Sequence, residues 1–136
     1  MKAMGIDFGM ARIGIALSDD TKFLASPFET YSRKGEHNDL QYLISIINLK
    51  GVDEIVCGLP MNMMGEEQEI AKKTRDFMSK LQILCPIKIA FVDERLSSVM
   101  AEEMLKETEK DWRKRKQKLD AVAASIILQD YLDEKN

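Results

Sequence analysis

The side chains in this sequence that could do chemistry are almost all carboxylates and cations. The one histidine, His37, stands between Glu36 and Asn38 and reads as a loop or helix-start residue. A histidine-based zinc site or a Ser-His-Asp triad therefore fits poorly. Cys57 and Cys85 lack CxxC spacing and read as buried thiols beside strands. What remains is a set of acids: Asp7 in MGIDFG, Asp93 and Glu94 in FVDER, and Asp120 in KLDAV. Hard oxygen ligands of this kind suit Mg²⁺ or Mn²⁺, which keep several waters when bound. Two such ions about 3.5–4 Å apart can activate water and stabilise the leaving oxygen of a phosphodiester. Each acid also has a structural alternative. Asp120 equally fits an acid at a helix N-terminus, and Glu94 is evenly divided between a functional and a structural part. Asp7 is harder to place structurally, because an acid at the end of a buried strand needs a partner or a metal. Strand alternation points Asp93 away from its neighbour.

These acids matter only if the chain brings them together. Residues 3–9 are short and apolar and read as a buried strand. Residues 12–18 alternate and read as a second strand, with only Met10 and Ala11 between the two. That spacing predicts an antiparallel hairpin. Residues 22–32, with Pro27 inside them, read as an edge strand or irregular extended segment. A helix is expected over 38–50, with Leu40, Leu43, Ile44 and Ile47 on one face and Gly51 ending it. Strands follow at 53–58 and 87–92, separated by a helix at 66–84. Ser97 is expected to cap a helix reaching about Glu107, with Glu103 as cap partner. After a charged stretch at 108–118, the last helix runs over about 116–133, so that Asp120 opens it. The order predicts an α/β fold: a mixed sheet covered by helices on both faces, its later strands parallel to the first. Ligands of such sheets bind beyond the carboxyl ends of the strands. Asp7 and Glu94 converge there, and Asp120 joins them from above.

Glycines and cations surround this edge. Gly9 falls on the face of Asp7 and either admits a phosphate or serves the turn. Arg12 and Arg95 lie within five residues of candidate acids and either clamp a phosphate or pair with an acid. In the loop GLPMNMMG (58–65), Asn62 could touch substrate, while the methionines are expected to pack on the body or a partner. Residues 110–118, KDWRKRKQK, hold six basic residues and one acid, and Trp112 among them could stack on a base. A basic run is often only a solvated face, but this one leads into Asp120, and Arg113, Lys114, Arg115 and Lys116 are candidate phosphate contacts.

Composition bounds the alternatives. The chain is 136 residues, 45% apolar and 32% charged, with net charge −3. This fits one globular domain over 1–136. No apolar run approaches the 18 residues of a membrane span. Asp7 falls where a signal peptide would be apolar, and two free thiols suit a reducing cytoplasm. The net charge mildly opposes a general nucleic-acid binder, but it is unevenly spread. Residues 110–118 carry +5 and the remainder −8, so a nucleic acid would be held along one salt-sensitive strip.

GIDFGMARIGIALSD (5–19), IVCGLPMNMMG (55–65), VDERLSS (92–98) and KLDAVAASIILQDYL (118–132) occur in this order across nearly the whole chain. In them the sequence resembles the YqgF, or RuvX-like, family, described as pre-16S rRNA nucleases and earlier as Holliday-junction resolvases. The resemblance implies a ribonuclease H-like fold: a five-stranded mixed sheet with an antiparallel second strand. It implies that Asp7, Glu94 and Asp120 form an acidic triad binding Mg²⁺ or Mn²⁺. It further implies trimming of the 5′ end of the 16S rRNA precursor, with RNA as partner, in ribosome biogenesis. The family often has Asp before the glycine of the 58–65 loop, and here that residue is Met64, which puts substrate contacts in that loop in question. Two alternatives accompany this expectation: a resolvase acting on four-way DNA, and a nucleic-acid-binding module without turnover. The sequence presents no unmistakable dimer face, so monomer and homodimer both stand open.

Overall fold

The computed structural model describes residues 1–94 and 97–136, apart from the side chain of Ser98. Its elements run β1 (Lys2–Phe8), β2 (Arg12–Ser18), β3 (Ala25–Ser32), α1 (Glu36–Lys50), β4 (Val52–Leu59), α2 (Glu69–Leu84), β5 (Lys88–Asp93), α3 (Ser97–Thr108) and α4 (Trp112–Lys135). The five strands form one sheet in the order β3-β2-β1-β4-β5. β2 is antiparallel to β1 and β3, while β4 and β5 run parallel to β1. The expected hairpin, the parallel later strands and the helices on both faces are all present. β3 is an edge strand, and Pro27 sits where its register with β2 shifts between Ile15 and Ala16. An edge bulge tolerates a residue with no N–H to donate.

The two faces of the sheet differ in side-chain size. On one face Met4, Ile6, Phe8, Ile13, Ile15, Ile55 and Cys57 pack against Leu40, Leu43 and Ile47 of α1 and Phe77, Met78 and Leu81 of α2. On the other, Ala3, Ala16 and Val56 meet Ala124, Ile127 and Leu128 of α4. α3 lies outside α4, with Ala101 and Leu105 against Val122, Ala123 and Ile126.

Three helix starts differ from the sequence expectation, each for a local reason. α1 begins at Glu36 rather than 38, after Gly35 at φ 109. α2 begins at Glu69 rather than 66, because Glu66 and Glu67 are held in the preceding loop. There Asn62 Oδ1 accepts from the N–H groups of Met64 and Glu66, and Met61 bridges Glu67. α4 begins at Trp112 rather than 116. Asp111 caps it by accepting from the Arg113 N–H at 2.9 Å, and Arg115 Nη1 donates to the Glu109 and Lys110 carbonyls beyond α3. The basic run is thus helical, and Asp120 lies more than two turns inside α4 instead of opening it. Ser97 does not cap with Glu103; its hydroxyl donates to the Glu94 carbonyl at 2.9 Å.

A buried acid outside the expected set braces the hairpin. Asp39, in the first turn of α1, is 0% exposed. It accepts from Tyr31 Oη at 3.0 Å, Arg33 Nε at 2.8 Å and the Lys34 N–H at 2.8 Å. Arg33 also donates to the Gly9 carbonyl and lies over the rings of Phe8 and Phe77. Burial works to raise the Asp39 carboxyl, but the bonds from Lys34, Arg33 and Tyr31 outweigh it and hold the pKa below its ordinary value. An acid depressed in this way contributes stability above its unfolded pKa, and loses it as pH falls through the folded one. Asp39→Asn is expected to cost about 2–3 kcal/mol in urea unfolding at neutral pH. The gap from wild type should narrow below the ordinary carboxylate range.

Candidate active site

The sheet's α4-facing side becomes a bare floor around Asp7. Asp7 pairs with Gly14 on β2, and Gly14 pairs with Thr30 on β3. On the other flank Ile6 pairs with Cys57, which makes Gly58 the next residue along β4. Asp7 therefore stands between two glycines on neighbouring strands. A Cβ on Gly14 would lie 2.0 Å from the Asp120 carbonyl oxygen and 3.0 Å from the Asp120 Cβ. A Cβ on Gly58 would lie 2.5 Å from Glu94 Oε2 and 2.7 Å from Ile127 Cδ1. Further back, a Cβ on Gly5 would strike the Ala124 carbonyl and Leu128 at 2.8 Å. The missing side chains let α4 rest on the backbone of the sheet and let Glu94 fold inward beside Asp7. Thr30 fixes the helix at this height, its Oγ1 accepting from the Ala121 N–H at 3.1 Å.

Asp7 and Glu94 share a hydrogen bond. Burial pushes the Asp7 carboxyl up, and the charge of Asp120 adds to this, while the bond from Glu94 works against it. Burial, then the Asp7 charge, pushes Glu94 to about 9. Both carboxyls are thus driven toward their neutral forms by the same causes, burial and the charge of a neighbouring acid. Asp120 is turned differently: its Oδ2 accepts from Arg12 Nε at 2.7 Å. Among the described residues, no three ligating groups are grouped closely enough to hold a metal ion as they stand. Two of the three expected acids are in contact, and the third lies within electrostatic range, held by Arg12.

The remaining candidates are spread over several roles. Asn62 spends its amide on its own loop, also donating to Glu66 Oε1 at 3.0 Å. Met63 and Met64 stay 74% and 83% exposed, so packing on the body does not hold for them. Met63 lines a cleft of about 710 Å³ that opens beside Glu94 and includes Ser97, Met100, Asp130 and Glu134. Arg113, Lys114 and Lys116 are exposed, whereas Arg115 is committed to the α3–α4 corner. Arg95 lies outside the described residues. Gly9 serves the turn: its N–H donates to the Arg12 carbonyl, which a Cβ there would meet at 2.7 Å. Gly58 and Thr30 were not expected as site residues. The alternation Ala3-Gly5-Asp7 and Gly14-Ala16 held the signal for a small-residue face, but pairing across strands was needed to place Gly58 and Thr30.

The profile of the RuvX family, described as Holliday junction resolvase, matches residues 1–134. The chain belongs to this family. Among its relatives, a Halothermothrix orenii protein named "Putative pre-16S rRNA nuclease" is 43% identical over 136 residues, covering 100% of this chain and 97% of the relative. An Endomicrobium trichonymphae protein of the same name is 42% identical, covering 97% and 95%. In three dimensions, fowlpox virus resolvase, solved with Holliday junction DNA, aligns at TM-score 0.62 and 10% identity over 99% of both chains. Thermus thermophilus RuvC with its Holliday junction substrate aligns at TM-score 0.62 and 10% identity, covering 99% and 95%. This likeness is one of fold: the RuvX-family chain has the ribonuclease H-like fold expected from its sequence. Among the described residues no helix is long and apolar enough to cross a membrane.

The site generates two predictions. Gly14→Ala places a methyl group into the α4 backbone, and should cost at least about 3 kcal/mol in urea unfolding. The second concerns pH. The folded chain binds more protons than the unfolded one between the ordinary carboxylate range and about 9, where Glu94 titrates. Stability in chelator-treated buffer should therefore fall as pH rises through that window. Glu94→Gln should flatten the slope and melt several degrees above wild type near pH 9.

Proposed function

We propose that this RuvX-family chain is a divalent-metal-dependent nuclease that processes the 5′ end of the 16S rRNA precursor. In this reading residues 1–136 act as one domain in the cytoplasm. The observation that carries it is the Asp7–Glu94 pair, two half-buried carboxylates pressed together between Gly14 and Gly58 under the helix bearing Asp120. A partly desolvated pair of this kind suits a hard cation, whose charge would offset both carboxylates. Asp7, Glu94 and Asp120 would hold Mg²⁺ or Mn²⁺, which supplies an activated water and offsets charge on the phosphate.

The chain's own residues do the rest. The sheet floor and α4 fix the backbones that carry Asp7 and Asp120. Arg12 pairs with Asp120, and its guanidinium is a fork that would also suit a phosphate of the substrate strand. Arg113, Lys114 and Lys116 give phosphates an exposed cationic strip on the helix that leads to Asp120. The RNA substrate is supported by the names of the relatives.

A four-way DNA junction is the second reading, favoured by the family's description and by the junction complexes of the structural neighbours. Symmetric junction cutting needs two sites facing one substrate, so a strictly monomeric chain at micromolar concentration counts against it.

The direct test is cleavage of a precursor 16S rRNA leader with Mg²⁺ or Mn²⁺. Asp7→Asn should slow it at least about a hundredfold and weaken Mn²⁺ binding in calorimetry. Equal cleavage by both proteins would remove Asp7 from the site.

A further inference from the structure

The corner between α3 and α4 carries a second concave surface, separate from the carboxylates. α4 presents Trp112, Lys116 and Leu119 at i, i+4 and i+7, and α3 presents Glu102, Leu105 and Lys106 at i, i+3 and i+4. Spacings of this kind put each set on one helix face. The two faces enclose a cleft of about 480 Å³. Its apolar side is Leu105 and Leu119, and Trp112 stands at its side, 61% exposed. A large aromatic ring in water at the first residue of a helix contributes little to the core. The Arg113 guanidinium lies over the ring, 5.4 Å from its centroid, a cation–π contact. The corner is firmly built. Arg115 bonds the carbonyls of Glu109 and Lys110, and Lys118 pairs with Glu109 at 3.2 Å.

We propose that this cleft binds one unpaired nucleobase of the substrate strand, stacked on Trp112, with Lys106 and Lys116 taking the flanking phosphates. The chemistry of the lining selects this occupant. A largely exposed indole accepts any base by stacking, and the Arg113 guanidinium over it adds a second planar stacking group. Two lysines flank it, in a chain whose body is acidic. Glu102 adds a carboxylate able to accept from an amino or imino N–H of the base, as acidic side chains do from cytosine N4. An apolar peptide would leave the lysines without counter-charge, and an acidic one would meet Glu102. The position also fits. Trp112 and Asp120 are eight residues apart on one helix, about 12 Å along its axis. A base held at Trp112 therefore sits a short way along the strand from a phosphate at the carboxylates. The inference rests on the nuclease reading for the substrate, but adds an unpaired base near the cut bond as a requirement.

Trp112 is the one tryptophan of the chain, so its fluorescence reports on this cleft alone. The test titrates full-length protein, in chelator to prevent cleavage, with a short unstructured RNA carrying a dye for anisotropy. The expected result is tryptophan quenching that follows the anisotropy isotherm, with much weaker quenching by a duplex of the same sequence. Trp112→Ala should weaken binding roughly tenfold and Trp112→Phe should restore part of it. Lys106→Gln and Lys116→Gln should each lower the salt slope of log affinity by about 0.7. Circular dichroism confirms that the variants fold, as expected for exposed positions. Binding of RNA with unchanged tryptophan emission, or equal affinity in Trp112→Ala, overturns the cleft and leaves the nuclease reading intact. Quenching by RNA in a protein that cleaves no precursor leaves the cleft standing and removes the nuclease.

Discussion

Everything in this molecule depends on how closely α4 approaches the sheet. Helices usually rest on a layer of sheet side chains. Here the central strands offer Ala3, Gly5 and Asp7, then Gly14 and Ala16, then Val56 and Gly58, and the helix settles onto backbone. The contact distances show how tight this is, since a single methyl group on Gly5, Gly14 or Gly58 would overlap the helix or Glu94. The opposite face does the ordinary work of stability, with Ile, Leu, Phe and Met packed under α1 and α2. The division lets one face be given over to acids.

That closeness has an electrostatic consequence. Lowering a helix onto Asp7 and folding Glu94 beneath it removes two carboxylates from water, and neither finds a cation of the chain as direct partner among the described contacts. They share a hydrogen bond, and both are pushed upward. Asp120, on the helix above, is neutralised by Arg12. Asp39 makes the contrast. It is more deeply buried than either, yet three donors surround it and its pKa falls. One acid is built into the fold as a brace; the others are left with unmet electrostatic demand. Such local conflict with stability is what functional sites accept and the rest of a fold offsets.

Much of this was legible in the chain. The hairpin followed from two residues between two alternating runs, and the parallel strands from the βα order. Asp7 stood out as an acid in a buried strand, and four motifs in register pointed to the family. The misplaced features share a cause. Helix starts depend on side chains that satisfy backbone groups from a distance. Arg115 reaches back to α3, and Asn62 holds the residues before α2. Hydrophobic periodicity carries no record of such bonds, so by itself it starts α4 a turn too late and places Asp120 at the helix opening. With α4 beginning at Trp112, that structural alternative for Asp120 loses its basis.

The sequence by itself determined the elements, their order, which strand faces are small and which are large, and which acids lie near the carboxyl edge of the sheet. These are local properties, set by alternation, periodicity and breakers within a few residues. Only the tertiary structure decided which groups meet. It put Gly58 under Glu94, Thr30 under the Ala121 N–H, Arg12 on Asp120, and Arg33 between Asp39 and the Gly9 turn. The first three of those pairs are far apart along the chain, joined by strand register and by the depth to which α4 sinks. Register and depth are set by the summed packing of the whole sheet, and no short stretch of sequence contains that sum.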